Sequence, residues 1–136
     1  MKNYTIEQIR SLIREKLEWN TRLDDDNDID IRFTNSDWPC DMQVYVSLKE
    51  GKHLKVSIHP VGYQVAASDR AKVMVAINKM NFDYNYITGM VTEDGNLLFF
   101  RRTLLDEDVS EEYVVINEIQ LPVLSADKYF QELLKM

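Results

Sequence analysis

At 136 residues, with 45% apolar and 29% charged side chains, the chain has the composition of a folded domain, which excludes wholesale disorder. Its 16 basic and 23 acidic residues leave a formal charge of −7, which repels phosphate backbones and argues against general nucleic-acid binding. The single cysteine, Cys40, excludes an internal disulfide and a multi-thiolate metal site.

The N-terminus carries charges throughout and has no signal-peptide core, and no apolar run approaches the ~20 residues that span a bilayer. A cytoplasmic location is therefore expected. Thr5-Ile6-Glu7-Gln8 forms a capping-box pattern, and Ile6, Ile9, Ile13 and Leu17, widened by Leu12, follow at helical spacing. A helix is predicted from about Thr5 to Trp19. Beyond Arg22, Asp24, Asp25, Asp26 and Asp28 form an acidic turn leading into the alternating strand Ile29, Ile31, Phe33. Asp37-Trp38-Pro39-Cys40-Asp41 breaks that alternation.

Met42, Val44, Val46 and Leu48 then alternate with Gln43, Tyr45, Ser47 and Lys49. After the turn Glu50-Gly51-Lys52, Leu54, Val56 and Ile58 alternate with His53, Lys55, Ser57 and His59. This predicts a hairpin with one core face and one polar face. Pro60-Val61-Gly62 ends it. A helix from about Ser68 to Met80 should bury Val73, Ile77 and Met80, with Met74 and Val75 broadening the apolar side.

An asparagine-rich exit, a strand, the turn Glu93-Asp94-Gly95-Asn96 and a second strand complete the middle of the chain. Ser110 can cap a last helix whose first turn holds Glu111 and Glu112, favourable against the helix dipole. Pro122 is expected to kink or break it before Tyr129, Phe130, Leu133 and Leu134 resume the period. The order is α-β-β-β-α-β-β-α. It predicts an α+β fold over residues 1–136, a single domain with helices against an antiparallel sheet.

The vocabulary of catalysis is missing. Asp24, Asp26 and Asp28 mimic the start of an EF-hand loop, but the sixth position is Ile29 rather than glycine and the twelfth is Asn35 rather than glutamate. The run reads as a solvated turn. His53 and His59 are about 20 Å apart on one strand face and cannot share an ion. Cys40 lacks a nucleophile signature, and Asp37 and Asp41 would raise its pKa. No serine stands in a G-x-S-x-G elbow, and the four glycines are too scattered to cradle a phosphate. No enzyme, metal or cofactor is expected; a hydrolase using Cys40 or a histidine would need a carboxylate and histidine converging in a cleft.

Two features rise above this background. Between Thr103 and Asp127 there is no lysine or arginine, while Asp106, Glu107, Asp108, Glu111, Glu112, Glu118 and Asp127 match the whole formal charge of −7; residues 42–79 carry six basic residues against two acidic. Such polarity could steer a basic partner or orient self-assembly. The second feature is the strand in which Leu97 and Phe99 lie on one face and Leu98 and Phe100 on the other. A strand apolar on both faces needs cover on both, from helices or from a second molecule.

Ile77-Asn78-Lys79-Met80-Asn81, the turn Glu93-Asp94-Gly95-Asn96, an arginine-bearing strand and Ala126-Asp127-Lys128-Tyr129 together resemble the YbjN family, bacterial proteins described as sensory transduction regulators. The likeness covers most of the chain in element order, and residues 77–105 and 126–134 at residue level. That family's fold is similar to type III secretion chaperones, which dimerise and hold an unfolded stretch of a partner along their surface. The resemblance implies a fold-setting role for Asn81, as a left-handed helix cap, and for Gly95, as a turn residue with positive φ.

The expected function is a non-enzymatic, chaperone-like or regulatory protein-binding module, forming a homodimer and binding neither nucleic acid nor membrane. Tyr45, Ser47, His53, Lys55, Ser57 and His59 would bind the client, with Leu97, Leu98, Phe99 and Phe100 forming the dimer or client groove. The alternative is a sensory domain holding a small ligand in a helix–sheet pocket.

Overall fold

The computed structural model describes residues 3–34, 37–106 and 108–136. Asn35 of the acidic loop, Glu107 of the acidic stretch, and the first two residues lie outside that set. Helix α1 (Ile6–Leu17) begins on the predicted capping box. Gln8 N–H donates to Thr5 Oγ1 at 3.1 Å, and Thr5 N–H donates to Gln8 Oε1 at 2.8 Å. Its end is set by Glu18 in the left-handed region, φ 58°.

The strands are β1 (Arg22–Leu23), β2 (Ile29–Phe33), β3 (Met42–Lys49) and β4 (His53–Pro60). A 3-10 turn leads into α2 (Arg70–Asp83); β5 (Thr88–Val91) and β6 (Leu97–Leu104) follow. Helix α3 (Glu111–Val115) passes through a π turn (Ile116–Gln120) into α4 (Leu121–Leu134). The strands form one six-stranded antiparallel sheet in the order β1-β2-β3-β4-β6-β5, so β6 lies beside β4 and β5 takes the edge.

The helices pack on one face of this sheet. Val44, Val46, Val56, Ile58 and Phe99 point into a core with Ile9 and Ile13 of α1, Ile77 of α2, Val114 of α3, Ile119 of the π turn, and Val123, Tyr129 and Phe130 of α4. The alternation read from β3 and β4 is the observed burial pattern. The α+β fold is therefore the expected one.

At the level of elements, two expectations need correction and a third becomes specific. The acidic run does not merely precede a strand; it closes a hairpin between β1 and β2, with Asp24 Oδ1 accepting from the N–H groups of Asp26 and Asp28 at 2.9 Å. A two-residue strand has too few positions to show a period, so β1 was invisible in the pattern. Pro122 interrupts the last helix, as expected, but through a π turn rather than an end. Leu121 N–H bonds to Ile116 O across the wider π turn, which accommodates a residue that lacks its own N–H and whose ring crowds the preceding turn.

Asn81 is no left-handed cap, because α2 continues to Asp83 and leaves through extended Tyr84, φ −100°. Its side chain ties the helix to β5 instead. Asn81 Nδ2 donates to Gly89 O at 3.1 Å, and Gly89 N–H donates to Asn81 Oδ1 at 2.8 Å. The Tyr129 hydroxyl lies 2.8 Å from the same Oδ1 and 3.1 Å from Ile77 O. A Cβ on residue 89 would sit 3.0 Å from Tyr129 Cζ, so glycine keeps the ring and strand in contact. Gly95 holds φ +86° as expected, and Arg70 braces that turn through Glu93 O at 2.9 Å and Asp94 O at 3.1 Å.

A buried ion pair fastens the π turn to β6. Glu118, 3% exposed, accepts from Arg101 Nε at 2.7 Å and from the Thr103 hydroxyl at 2.6 Å. Burial favours its neutral form, but these donors prevail and hold its pKa below the ordinary 4.5. Its contribution to stability is thus complete above pH 4.5 and is lost as pH falls through the folded value. Glu118→Gln should cost about 2 kcal/mol near neutral pH, less than a fully buried pair because Arg101 reaches solvent, and should flatten the acid limb of a stability–pH curve. Asn81→Ala should likewise cost about 2 kcal/mol in urea unfolding, since it strands the Gly89 peptide groups.

Candidate interaction surface

Alternation along β3, β4 and β6 sends every second side chain away from the helices. Tyr45, Ser47, His53, Lys55, Ser57 and His59 share this outer face with Leu98 and Phe100. Strand register arranges them in rows: Tyr45, Ser57 and Phe100 lie opposite one another, as do Ser47, Lys55 and Arg102. A further row runs Lys49, His53, Leu104, and Met90 of β5 faces Leu98.

Leu97 and Phe99 must be withdrawn from the surface. Both are buried in the core, Phe99 with its ring centroid 5.0 Å from that of Tyr129 and 6.3 Å from that of Phe130. Opposite parity leaves Leu98 and Phe100 half-buried on the outer face, which no helix covers among the described residues. The strand is two-faced because one face is core and the other is open. Lys49, Met90, Arg102 and Leu104 belong to the same surface. Extending the period-2 reading four residues beyond Phe100 finds Arg102 and Leu104.

The face is divided. At one end Ser47, Lys49, His53, Lys55, Arg102 and Leu104 line a groove of about 460 Å³. At the other, Tyr45, His59, Tyr63 and Leu98 line one of about 390 Å³. His59 Nε2 lies 3.3 Å from Ser57 Oγ, and its ring meets Tyr45 edge-on at 5.6 Å between centroids. Burial, with Lys55 nearby, lowers its pKa and favours the neutral ring. His53 Nε2 is 3.5 Å from Glu50 Oε2. The Arg102 guanidinium lies over Phe100, 5.7 Å from the centroid.

Beyond these rows, toward β1, Asp30 receives Arg22 Nη2 at 2.7 Å and Gln43 Nε2 at 3.0 Å. Those donors hold its carboxyl below the usual range against the opposing effect of burial. The negative charge there is matched within the sheet.

The other candidates stay apart from this face. Burial, then Asp41, pushes the Cys40 thiol up, the direction expected for an unactivated cysteine. Within the acidic stretch, Glu118 and Asp127 have structural partners: Asp127 Oδ1 accepts from Trp38 Nε1 at 2.7 Å and Gln131 Nε2 at 2.8 Å. Met74 and Val75, expected to broaden the core side of α2, are instead 53% and 71% exposed, and Phe82 is 90% exposed. Only Ile77 of α2 is fully buried, since the helix touches the sheet mainly at its short edge strand β5. Val73 and Met80 pack partly against the core.

Among the described residues no helix is long and apolar enough to cross a membrane. No protein-family model and no curated protein matches the chain. The fold is similar to that of a chain in the heterodimeric complex ExoU-SpcU from the type III secretion system of Pseudomonas aeruginosa, at 12% identity and a TM-score of 0.53. The match covers 90% of this chain and 94% of that one. The likeness is one of fold, and the α+β class expected from the residues is the one observed.

Proposed function

We propose that the chain is a single YbjN-like domain that acts in a bacterial cytoplasm as a non-enzymatic, chaperone-like protein-binding module. The observation that carries this reading is the uncovered outer sheet face. Tyr45, Ser47, His53, Lys55, Ser57, His59, Leu98 and Phe100 stand together there, opposite the helical layer. A solvated antiparallel sheet face is ordinarily polar, whereas this one adds half-buried Leu98 and Phe100 and exposed Met90 and Leu104. The fold likeness to a chain of that heterodimeric type III secretion complex supports the same reading. Regulation or escort of a client protein follows from occupancy of that face.

The homodimer is the second element. Its support moves from the Leu97–Phe100 strand to α2, where Met74, Val75 and Phe82 present a large exposed apolar stripe. Burying it in a second copy would remove most of that surface from water. Light scattering should give a dimer for the wild type and a folded monomer for Val75→Glu/Phe82→Glu. A wild-type monomer would end the dimer proposal.

The small-ligand alternative has one supporting observation, a groove of about 330 Å³ between α4 and the ends of β2 and β3, lined by Trp19, Phe33, Met42, Val123 and Leu124. Its lining acid, Asp127, already accepts from Trp38 and Gln131. An apolar dye such as 8-anilinonaphthalene sulfonate should bind weakly and without saturation; saturable binding that quenches tryptophan emission and is lost in Leu124→Glu would favour this alternative over the client-binding reading.

A further inference from the structure

The outer face carries a charge pattern at odds with the rest of the molecule. The chain is −7 overall, yet the twelve outward positions of β3, β4 and β6 hold Lys49, Lys55 and Arg102 and no carboxylate. Lys55 and Arg102 are direct cross-strand neighbours. Like charges so placed oppose sheet pairing. Among the described residues none of the three is in an ion pair. Glu50 at the β3–β4 turn reaches His53, and Asp28 contributes only a field at Lys49 and Lys55. By contrast, Asp30 toward β1 is matched by Arg22. Asp30, Arg22 and Arg32 are thus matched at the β1–β2 side, Arg32 by Asp41 at 3.5 Å, while Lys49, Lys55 and Arg102 are left open.

Beside the bases lies the apolar half of the face. The row of Tyr45, Ser57 and Phe100 is two residues along the strands from the row of Ser47, Lys55 and Arg102, a step of about 7 Å. An extended segment projects same-side residues at that same spacing. Such a segment, laid along the strands, sets a carboxylate over Lys55 and Arg102 and its second-next residue over Phe100 and Leu98. A second carboxylate, two residues to the other side, reaches Lys49.

We infer that the occupant of the outer face is an extended, acidic protein segment with the alternating pattern acidic–x–acidic–x–apolar, recognised by Lys49, Lys55 and Arg102 together with Leu98 and Phe100. This rests on the protein-binding reading and specifies the partner's chemistry. A dense polyanion fits less well. The apolar half offers its phosphates nothing, and the rest of the surface repels it.

The test uses the full chain and three fluorescent peptides of one length: Glu-x-Glu-x-Leu repeats, the same with Gln for Glu, and the same with Lys for Glu. Anisotropy titrations should show the acidic peptide binding at least tenfold tighter than the other two, with the preference shrinking as salt rises. Lys55→Glu/Arg102→Glu should abolish or invert the preference, and Phe100→Ser should weaken the acidic and Gln peptides alike. Unchanged circular dichroism would show that these variants fold.

Equal binding of all three peptides would overturn the acidic pattern while leaving the protein-binding reading intact. Failure to bind any peptide would overturn both. Displacement of the acidic peptide by a short single-stranded oligonucleotide at lower concentration would assign the face to a nucleic acid. A dimer lost in Lys55→Glu/Arg102→Glu would assign it to a second copy. Either result would overturn the inference.

Discussion

The arrangement hinges on one buried phenol. Tyr129 is fully enclosed, with Tyr84 and Phe99 rings 4.9 and 5.0 Å from its own, and burial pushes its pKa up, so it remains neutral. Its hydroxyl meets the Asn81 side chain, which in turn holds both the backbone N–H and the carbonyl of Gly89. The distant helix α4 and the consecutive elements α2 and β5 thereby share one polar node inside an apolar core. Such a node tolerates little displacement, because each unsatisfied member costs its full desolvation. It fixes β5 and, through strand pairing, the parity of β6. Which residues of β6 face outward follows from that parity.

Much of this was legible in the sequence, and the losses have identifiable causes. The β3–β4 hairpin could be read because long strands covered on one face alternate cleanly. The capping box at Thr5 and the turn at Gly95 were local chemistry, which survives whatever packs around it. Asn81 was misread because a helix exit rich in asparagine looks like a cap; its true partner lies eight residues away across a turn, and nothing local marks it. Met74 and Val75 were assigned inward because apolar residues at helical spacing ordinarily are. Here α2 lies over a short edge strand, and that strand is too narrow to cover so broad a stripe.

The candidate surface was legible in part for a related reason. Period-2 reading placed eight of the outer-face residues correctly, but it gave both sides of the Leu97–Phe100 strand the same weight. Sequence shows that a strand has two apolar faces; only the placement of the helices distinguishes core from surface. The cationic row was missed because Lys55 and Arg102 are 47 positions apart and meet only through the β4–β6 pairing, which skips over α2 and β5.

The ends of the sheet bear on what such a face can afford to display. β1 contributes two residues and β5 four, so each rim is stepped, with residues 31–33 of β2 and 101–104 of β6 running past the edge strand, and neither offers an incoming strand one long straight ladder. Sheets with long open rims tend to grow by accretion, and those displaying apolar side chains are the most prone to it. Blunted rims separate two properties that otherwise travel together: stickiness across the flat of the sheet and polymerisation along its edge. Phe100 and Leu98 therefore stand on the flat of a sheet whose edge strands are short.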